Sequence, residues 1–254
     1  IQQLHFQEEL MNTTIDLLLS HRSVRNYHEK SVSEDVKEKI IRCAQMAPTS
    51  SYFQAYTIIE LEDIEKKRRL AKAAGGQAWV EKAPLVLLFC ADLNRNRGVL
   101  PVEDPEVFGN VESYTVAVVD AALAMQKAFV AAQSLGLGGV VVGGVRNDMN
   151  EIKEVAELPP FVMPLFLLCL GYPDEQPNIK PRLPIHTIWK KNTYGVCSAI
   201  PDLDSYNAEV SRYFDSLTDG EDQYNWVERC SHALKTKPRY EVTDFVKNAG
   251  FLRS

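Results

Sequence analysis

His21-Arg22-Ser23-Val24-Arg25 gathers two guanidiniums, an imidazole and a hydroxyl into five residues. Arginine presents a rigid planar fork of donors that matches phosphate oxygens two at a time, and each charge-assisted bond is worth roughly 1.5–3 kcal/mol. The cluster therefore suits a phosphate. A second reading stays open on these residues alone, because cations just past a helix over 14–20 would also oppose the negative end of its macrodipole. Lys180-Pro181-Arg182-Leu183-Pro184 adds two cations on a proline-stiffened stretch, expected to aim Lys180 and Arg182 inward. Gly143-Gly144 lacks the Cβ atoms that keep backbone away from a ligand, and it equally suits a strand end. Gly75-Gly76 likewise suits a helix stop.

Other site chemistries find no support. The chain has no Gly-x-x-x-x-Gly-Lys-Ser/Thr, Gly-x-Ser-x-Gly or His-Glu-x-x-His, and no Cys/His spacing for a metal. Gly136-Leu137-Gly138-Gly139 lacks the third glycine of a dinucleotide fingerprint and precedes a strand instead of following one. No catalytic acid or base and no metal ligand is assigned. A formal charge of −6 without a long basic run argues against nucleic acid or an anionic membrane as partner. The five cysteines are scattered without a Cys-x-x-Cys, a pattern suited to a reducing cytoplasm, with Cys90 and Cys169 expected in the core. No signal peptide is recognised.

The elements that must carry these residues alternate along the chain. Helices are expected over 14–20, over 34–47 after a Ser33 cap, and over 64–74 before Gly75-Gly76. The second of these sets Val36, Ile40, Cys43, Ala44 and Ala47 at helical spacing. Strands are expected over 56–61, 84–91, 138–142 and 163–170, and the unbroken apolar run at 84–91 asks for a sheet buried on both faces. The apolar stretch 114–132 carries Asp120, Gln126 and Lys127, so it reads as a buried central helix and not a membrane span. A further helix follows near 149–157. The segment 92–111 reads as a long loop of the kind that often forms a lid. Beyond residue 200 helices are expected, one of them with Tyr206, Val210, Phe214 and Leu217 on one face. The fold class is α+β, and 254 residues at 45% hydrophobic composition suffice for a full core.

His21 to Arg25, Gly75-Gly76-Gln77 with Val80, Val142-Gly143-Gly144-Val145-Arg146-Asn147 and Lys180 to Pro184 stand in the order and approximate spacing of one family. From about Asn12 onward the chain resembles the oxygen-insensitive nitroreductases, in the branch of the NAD(P)H-dependent flavin reductases and major nitroreductases. Leu135-Gly136-Leu137-Gly138-Gly139 and Met163-Pro164-Leu165-Phe166 resemble that branch too.

The resemblance implies a central, mostly antiparallel sheet flanked by helices, with FMN at the interface of a cytoplasmic homodimer. It divides the chain into an N-terminal extension of uncertain origin (1–11, with Met11 resembling a natural start), an FMN-binding domain (12–200) and a helical extension packing on the dimer (201–254). It gives the flavin phosphate to His21, Arg22, Ser23 and Arg25 with Lys180 and Arg182, and counts Val24 and Pro181 among the cofactor-binding residues. It assigns the ring and ribityl contacts to Thr49, Ser50, Tyr52 and Gln54, partly from the partner subunit, and to Gln77, Trp79, Val80, Val142, Gly143, Gly144 and Val145. The implied activity is two-electron, ping-pong hydride transfer from NADPH or NADH to small-molecule acceptors: nitroaromatics, quinones or free flavins. A non-catalytic FMN-storage protein is the alternative. Arg239 aligns with an arginine that grips the NADPH 2′-phosphate, yet Thr218-Asp219-Gly220-Glu221-Asp222-Gln223 is acidic where that branch is often basic, so NADPH preference is expected to be weak.

Overall fold

The structure, a computed structural model, describes residues 13–194, 203–218, 221 and 224–252. The N-terminal stretch through residue 12 and Asp219, Gly220, Asp222 and Gln223 of the acidic loop lie outside the described residues. Compactness divides the chain into two units, Ile1–Pro177 with Arg239–Ser254, and Asn178–Pro238. The last helix groups with the first unit.

The first unit runs α1 (Thr13–Leu19), α2 (Glu34–Gln45), β1 (Tyr56–Glu60), α3 (Ile64–Ala73), α4 (Ala78–Lys82), β2 (Leu85–Asp92), α5 (Asn94–Val99), α6 (Val111–Ser134), β3 (Gly138–Val142), α7 (Met149–Val155) and β4 (Val162–Gly171). The strands form one sheet in the order β1-β2-β4-β3, antiparallel at every pairing. This is the expected α+β architecture. β2 is buried along its whole length and sends Leu85, Leu87 and Phe89 to one core and Val86, Leu88 and Cys90 to the other. The first core is completed by α2 and the Ala117-Ala121-Ala124-Ala128 stripe of α6, whose small side chains allow close helix–sheet approach; the second is completed by α3, α4 and α7. α6 is long and apolar enough to cross a membrane, but this stripe is fully buried within the fold.

β4 serves both cores through a change of phase. Met163 and Leu165 face the first core, and so do Leu168 and Leu170. The odd-to-even switch comes from a bulge: Phe89 pairs with Phe166 but Cys90 with Pro164, leaving Leu165 extra. Without that extra residue one half of the strand would turn its apolar side chains to the wrong layer.

Short elements depart from expectation. The 92–111 connection is not one open loop, since it folds into α5 and a 3-10 turn at Pro105–Gly109. Gly143–Asn147 is a 3-10 turn. Ser33 stands at the N-cap of α2 without a side-chain cap bond, and Cys43 faces solvent. The second unit contains α8 (Ile185–Ile188), α9 (Leu203–Asp215) and α10 (Trp226–Thr236). Within it Tyr206 meets Trp226 at 6.1 Å between ring centroids, and the Arg229 guanidinium lies 3.3 Å from the Phe214 centroid. Tyr206 and Val210 are buried as expected of one face, while Leu217 falls beyond the end of α9 and is exposed. The chain then returns to the first unit as α11 (Glu241–Asn248). There Phe251 is fully buried between the rings of Tyr114 (5.2 Å) and Phe161 (5.6 Å), and the Phe161 N–H donates to the Ala249 carbonyl at 2.7 Å.

Candidate functional site

The cationic segment is laid along the free edge of β3. The Val24 N–H donates to the Gly139 carbonyl at 2.9 Å, and a Cβ on Gly138 would lie 2.8 Å from Val24 Cγ2, so only glycine lets the segment seat this closely. Tyr27 forms a bridge with Pro173 and donates its hydroxyl to the Val24 carbonyl at 2.8 Å. Burial first, then the nearby Cys169, pushes the Tyr27 phenol far above its ordinary range, so it remains a neutral donor. From α6, Phe129 meets the His21 ring edge-on at 5.3 Å, and Gln133 Nε2 lies 3.3 Å from its Nδ1. Arg22 donates to the Ser20 carbonyl at 3.2 Å and the Pro177 carbonyl at 3.3 Å, so this side chain does sit at the end of α1. Ser23 is half-buried.

Glu175 fixes the next two residues. Its carboxylate accepts the N–H groups of Arg25 (2.6 Å) and Asn26 (3.0 Å) and the Asn26 side-chain amide (2.8 Å). Burial alone would raise its pKa, but these bonds outweigh burial and hold it below 4.5. A depressed carboxyl contributes stability above its unfolded pKa and loses it as pH falls through the folded value. Glu175→Gln is expected to lower stability at pH 7 by roughly 1–2 kcal/mol and to flatten the loss on acidification below about pH 4.5. Thermal melts of both proteins across that range check this; parallel acid limbs would show that Glu175 does not anchor the segment.

Arg25 then meets the turn between α3 and α4. Its guanidinium lies 5.3 Å from the Trp79 ring centroid. Gly75 and Gly76 end α3 at φ +93° and +76°, with the N–H groups of Gly76 and Gln77 both on the Ala71 carbonyl at 2.9 and 3.2 Å. This left-handed cap presents Gln77 and Trp79. Gln77 Nε2 donates to the Ala74 carbonyl at 2.6 Å. Gly144 closes against the same groups: a Cβ there would stand 2.4 Å from Ala74 O and 2.5 Å from Gln77 Nε2. Asn147, at the end of that turn, accepts from Arg239 Nε at 2.9 Å, while half-buried Arg146 donates to the Leu165 carbonyl at 2.7 Å. Burial first, then the neighbouring Arg239, lowers the Arg146 pKa. The Trp79 indole N–H is buried with no hydrogen-bond partner among the described residues.

Arg25, Gln77, Trp79, Gly143, Gly144 and Arg239 therefore come together, with His21, Arg22 and Ser23 along the adjoining edge. Four expected contact residues do not present side chains there. Val80 and Val145 are wholly inaccessible, and Val24 and Val142 nearly so, because their apolar side chains fill the core beneath. Lys180, Pro181 and Arg182 belong to the second unit. Both cations are exposed: Lys180 lies 5.8 Å from the Phe214 ring centroid, and Arg182 folds back on the carbonyls of Lys180 (2.9 Å) and Pro181 (3.3 Å).

Thr49, Ser50, Tyr52 and Gln54 occupy a separate loop. Ser51, Tyr52 and Gln54 have φ of 45°, 59° and 50°, and Tyr52 is 81% exposed. The loop's hydrogen bonds run to Asp120 on α6 and to Arg95 and Asn96 on α5. Of the supporting residues, Asp120 carried a signal in the sequence, since a lone carboxylate on an apolar helix must find donors. Glu175 carried none, because its partners lie about 150 positions away.

The Nitroreductase family model matches residues 18–172, and the model of that family's C-terminal domain matches residues 180–254. An FMN reductase (NADPH) of Bacillus subtilis is 38% identical over 246 residues, covering 95% of this chain and 99% of the relative. The NfrA1 nitroreductase structure from B. subtilis superposes with a TM-score of 0.91 at 37% identity, over 95% of this chain and 100% of that one. The NADPH:FMN oxidoreductase of Vibrio harveyi, solved as a complex with NAD+, gives a TM-score of 0.86 at 32% identity over 96% and 100% of the two chains.

Proposed function

Since the chain belongs to the nitroreductase family, we propose that it is an FMN-dependent NAD(P)H oxidoreductase that reduces flavins, nitroaromatics or quinones as a cytoplasmic homodimer. The observation that carries this reading is Trp79, whose buried N–H has no partner among the described residues while Arg25 covers its ring. A buried donor beside a cation calls for an acceptor-rich ligand. Gly144 lets its turn pack directly on the Ala74 carbonyl and the Gln77 amide, beside Trp79, and the donors of His21, Arg22, Ser23 and Arg25 suit a phosphate. These residues fit FMN.

FMN, when bound, supplies the hydride chemistry, accepting two electrons from a reduced nicotinamide and yielding them to an acceptor in a second half-reaction. The chain's part is binding and orientation. Gln77 and the Gly143–Gly144 turn would meet the polar edge of the ring system, and the left-handed loop with Thr49, Ser50, Tyr52 and Gln54 would serve a flavin from the dimer partner's side. The functional division we propose keeps 12–200 as the flavin-binding part and 201–254 as the helical extension.

Visible absorption of the purified protein, taken anaerobically before and after NADPH or NADH, tests the reading. A yellow protein bleached by both nucleotides at comparable rates is expected, given the acidic 218–223 loop. A yellow protein that neither nucleotide bleaches would instead favour storage. Failure to take up supplied FMN would refute the flavin site, and strong NADPH selectivity would assign the 2′-phosphate to Arg239 despite the acidic loop.

A further inference from the structure

The loop with Thr49, Ser50, Tyr52 and Gln54 is held in an unfavourable conformation by groups that nothing so far has given a role. Three of its non-glycine residues, Ser51, Tyr52 and Gln54, lie in the left-handed region within four positions, where side chains crowd the backbone. Such a run persists only if its surroundings over-determine it. Asp120 supplies the main restraint. It is 1% exposed, and its two carboxylate oxygens accept the N–H of Ser50 at 3.1 Å and the N–H of Ala55 at 3.0 Å, one on each side of the run. α5 grips the middle: Asn96 Nδ2 donates to the Phe53 carbonyl at 3.1 Å and Arg95 Nη1 to the Gln54 carbonyl at 3.4 Å. Arg95 is itself set by Thr57 Oγ1 at 2.7 Å and Asp92 Oδ2 at 3.2 Å.

We infer that Asp120 is a positioning residue, which presets the 50–55 loop in its flavin-ready shape before the cofactor arrives. This rests on the flavin reading above only for what the loop is preset to meet. A carboxylate suits the task because both oxygens accept and neither donates, so one side chain can bracket the loop through two backbone N–H groups. Burial away from water strengthens both bonds. Presetting matters for affinity because a loop ordered in advance loses no conformational freedom when the ligand binds. The helical part of the 92–111 segment then acts as the second half of the clamp.

The test combines hydrogen exchange with flavin titration. In flavin-free wild-type protein, amides of the 50–55 peptide should already exchange slowly. Asp120→Ala should release that protection locally, weaken FMN binding by about tenfold or more, and alter the visible circular dichroism of the flavin that still binds. Asp120→Asn, which keeps one acceptor oxygen, should fall between. If Asp120→Ala does not fold, Asn96→Ala, which loosens only the Phe53 carbonyl, should give a smaller change in the same direction in all three readouts. Fast exchange of 50–55 in the flavin-free wild type would overturn the inference, as would variants with wild-type FMN affinity and circular dichroism. If the wild type takes up no FMN, the flavin reading fails, while slow or fast exchange still decides whether Asp120 presets the loop.

Discussion

Gly144→Ala is expected to reduce FMN affinity by about a hundredfold and stability by about 2–3 kcal/mol. The added Cβ would sit 2.4 Å from the Ala74 carbonyl oxygen and 2.5 Å from Gln77 Nε2. Neither can give way cheaply. The oxygen is main chain at the end of α3, where Ala74 is 1% exposed, and it is already bound to the Gln77 amide at 2.6 Å. Relief would have to shift the turn that presents Gln77 and Trp79. Gly143→Ala is the informative control, because its Cβ would meet only the far end of the Arg146 side chain, at 2.8 Å. Thermal melts and flavin-fluorescence titration of both variants separate the two positions. Tight FMN binding by Gly144→Ala would mean that the Ala74–Gln77 floor plays no part in the site.

Removing the charges of Arg22 and Arg25 together, as Arg22→Gln with Arg25→Gln, should weaken FMN by roughly a hundredfold to ten-thousandfold, if each side chain gives the phosphate one charge-assisted bond. The phosphate can be isolated by comparison with riboflavin, which lacks it. The double variant should bind riboflavin about as well as the wild type does, while losing its advantage for FMN. Raised salt should weaken FMN binding to the wild type more than to the variant. Equal FMN affinity in the two proteins would return the cluster to the helix-end role that the Arg22–Ser20 contact already illustrates.

What could be read from the sequence was set by how local each cause is. The strands at 56–60, 85–92, 138–142 and 162–171 declare themselves through apolar runs, and the unbroken run of β2 announced two buried faces. The bulge at Leu165 did not, because phase exists only relative to a partner strand. α4 and α5, five and six residues long, are too short to show periodicity. Within the site, residue type pointed to Arg25, Gln77 and Gly144, but type cannot tell a valine under a ligand from one inside a core, as Val80 and Val145 illustrate. The exposure of Lys180 and Arg182 could not be read from the prolines, which fix the shape of a stretch and not the burial of its side chains. Glu175 and Asp120 act through main-chain donors brought near by the fold, so no spacing rule could have paired them with Arg25 or Ser50.

The return of α11 has a consequence for how the protein is made. The stretch Asn178–Pro238 is an excursion in the chain of a unit that closes only with Arg239–Ser254. Phe251 supplies a ring that Tyr114 and Phe161 pack against, and the Phe161 amide needs the Ala249 carbonyl. These contacts join residues about 90 to 140 positions apart, so forming them carries the entropic cost of closing long loops. On the ribosome the sheet can pair once β4 emerges, but its first core stays open on one side until the segment after residue 240 is released. During that interval, apolar surface around Tyr114 and Phe161 is accessible to chaperones or to neighbouring nascent chains.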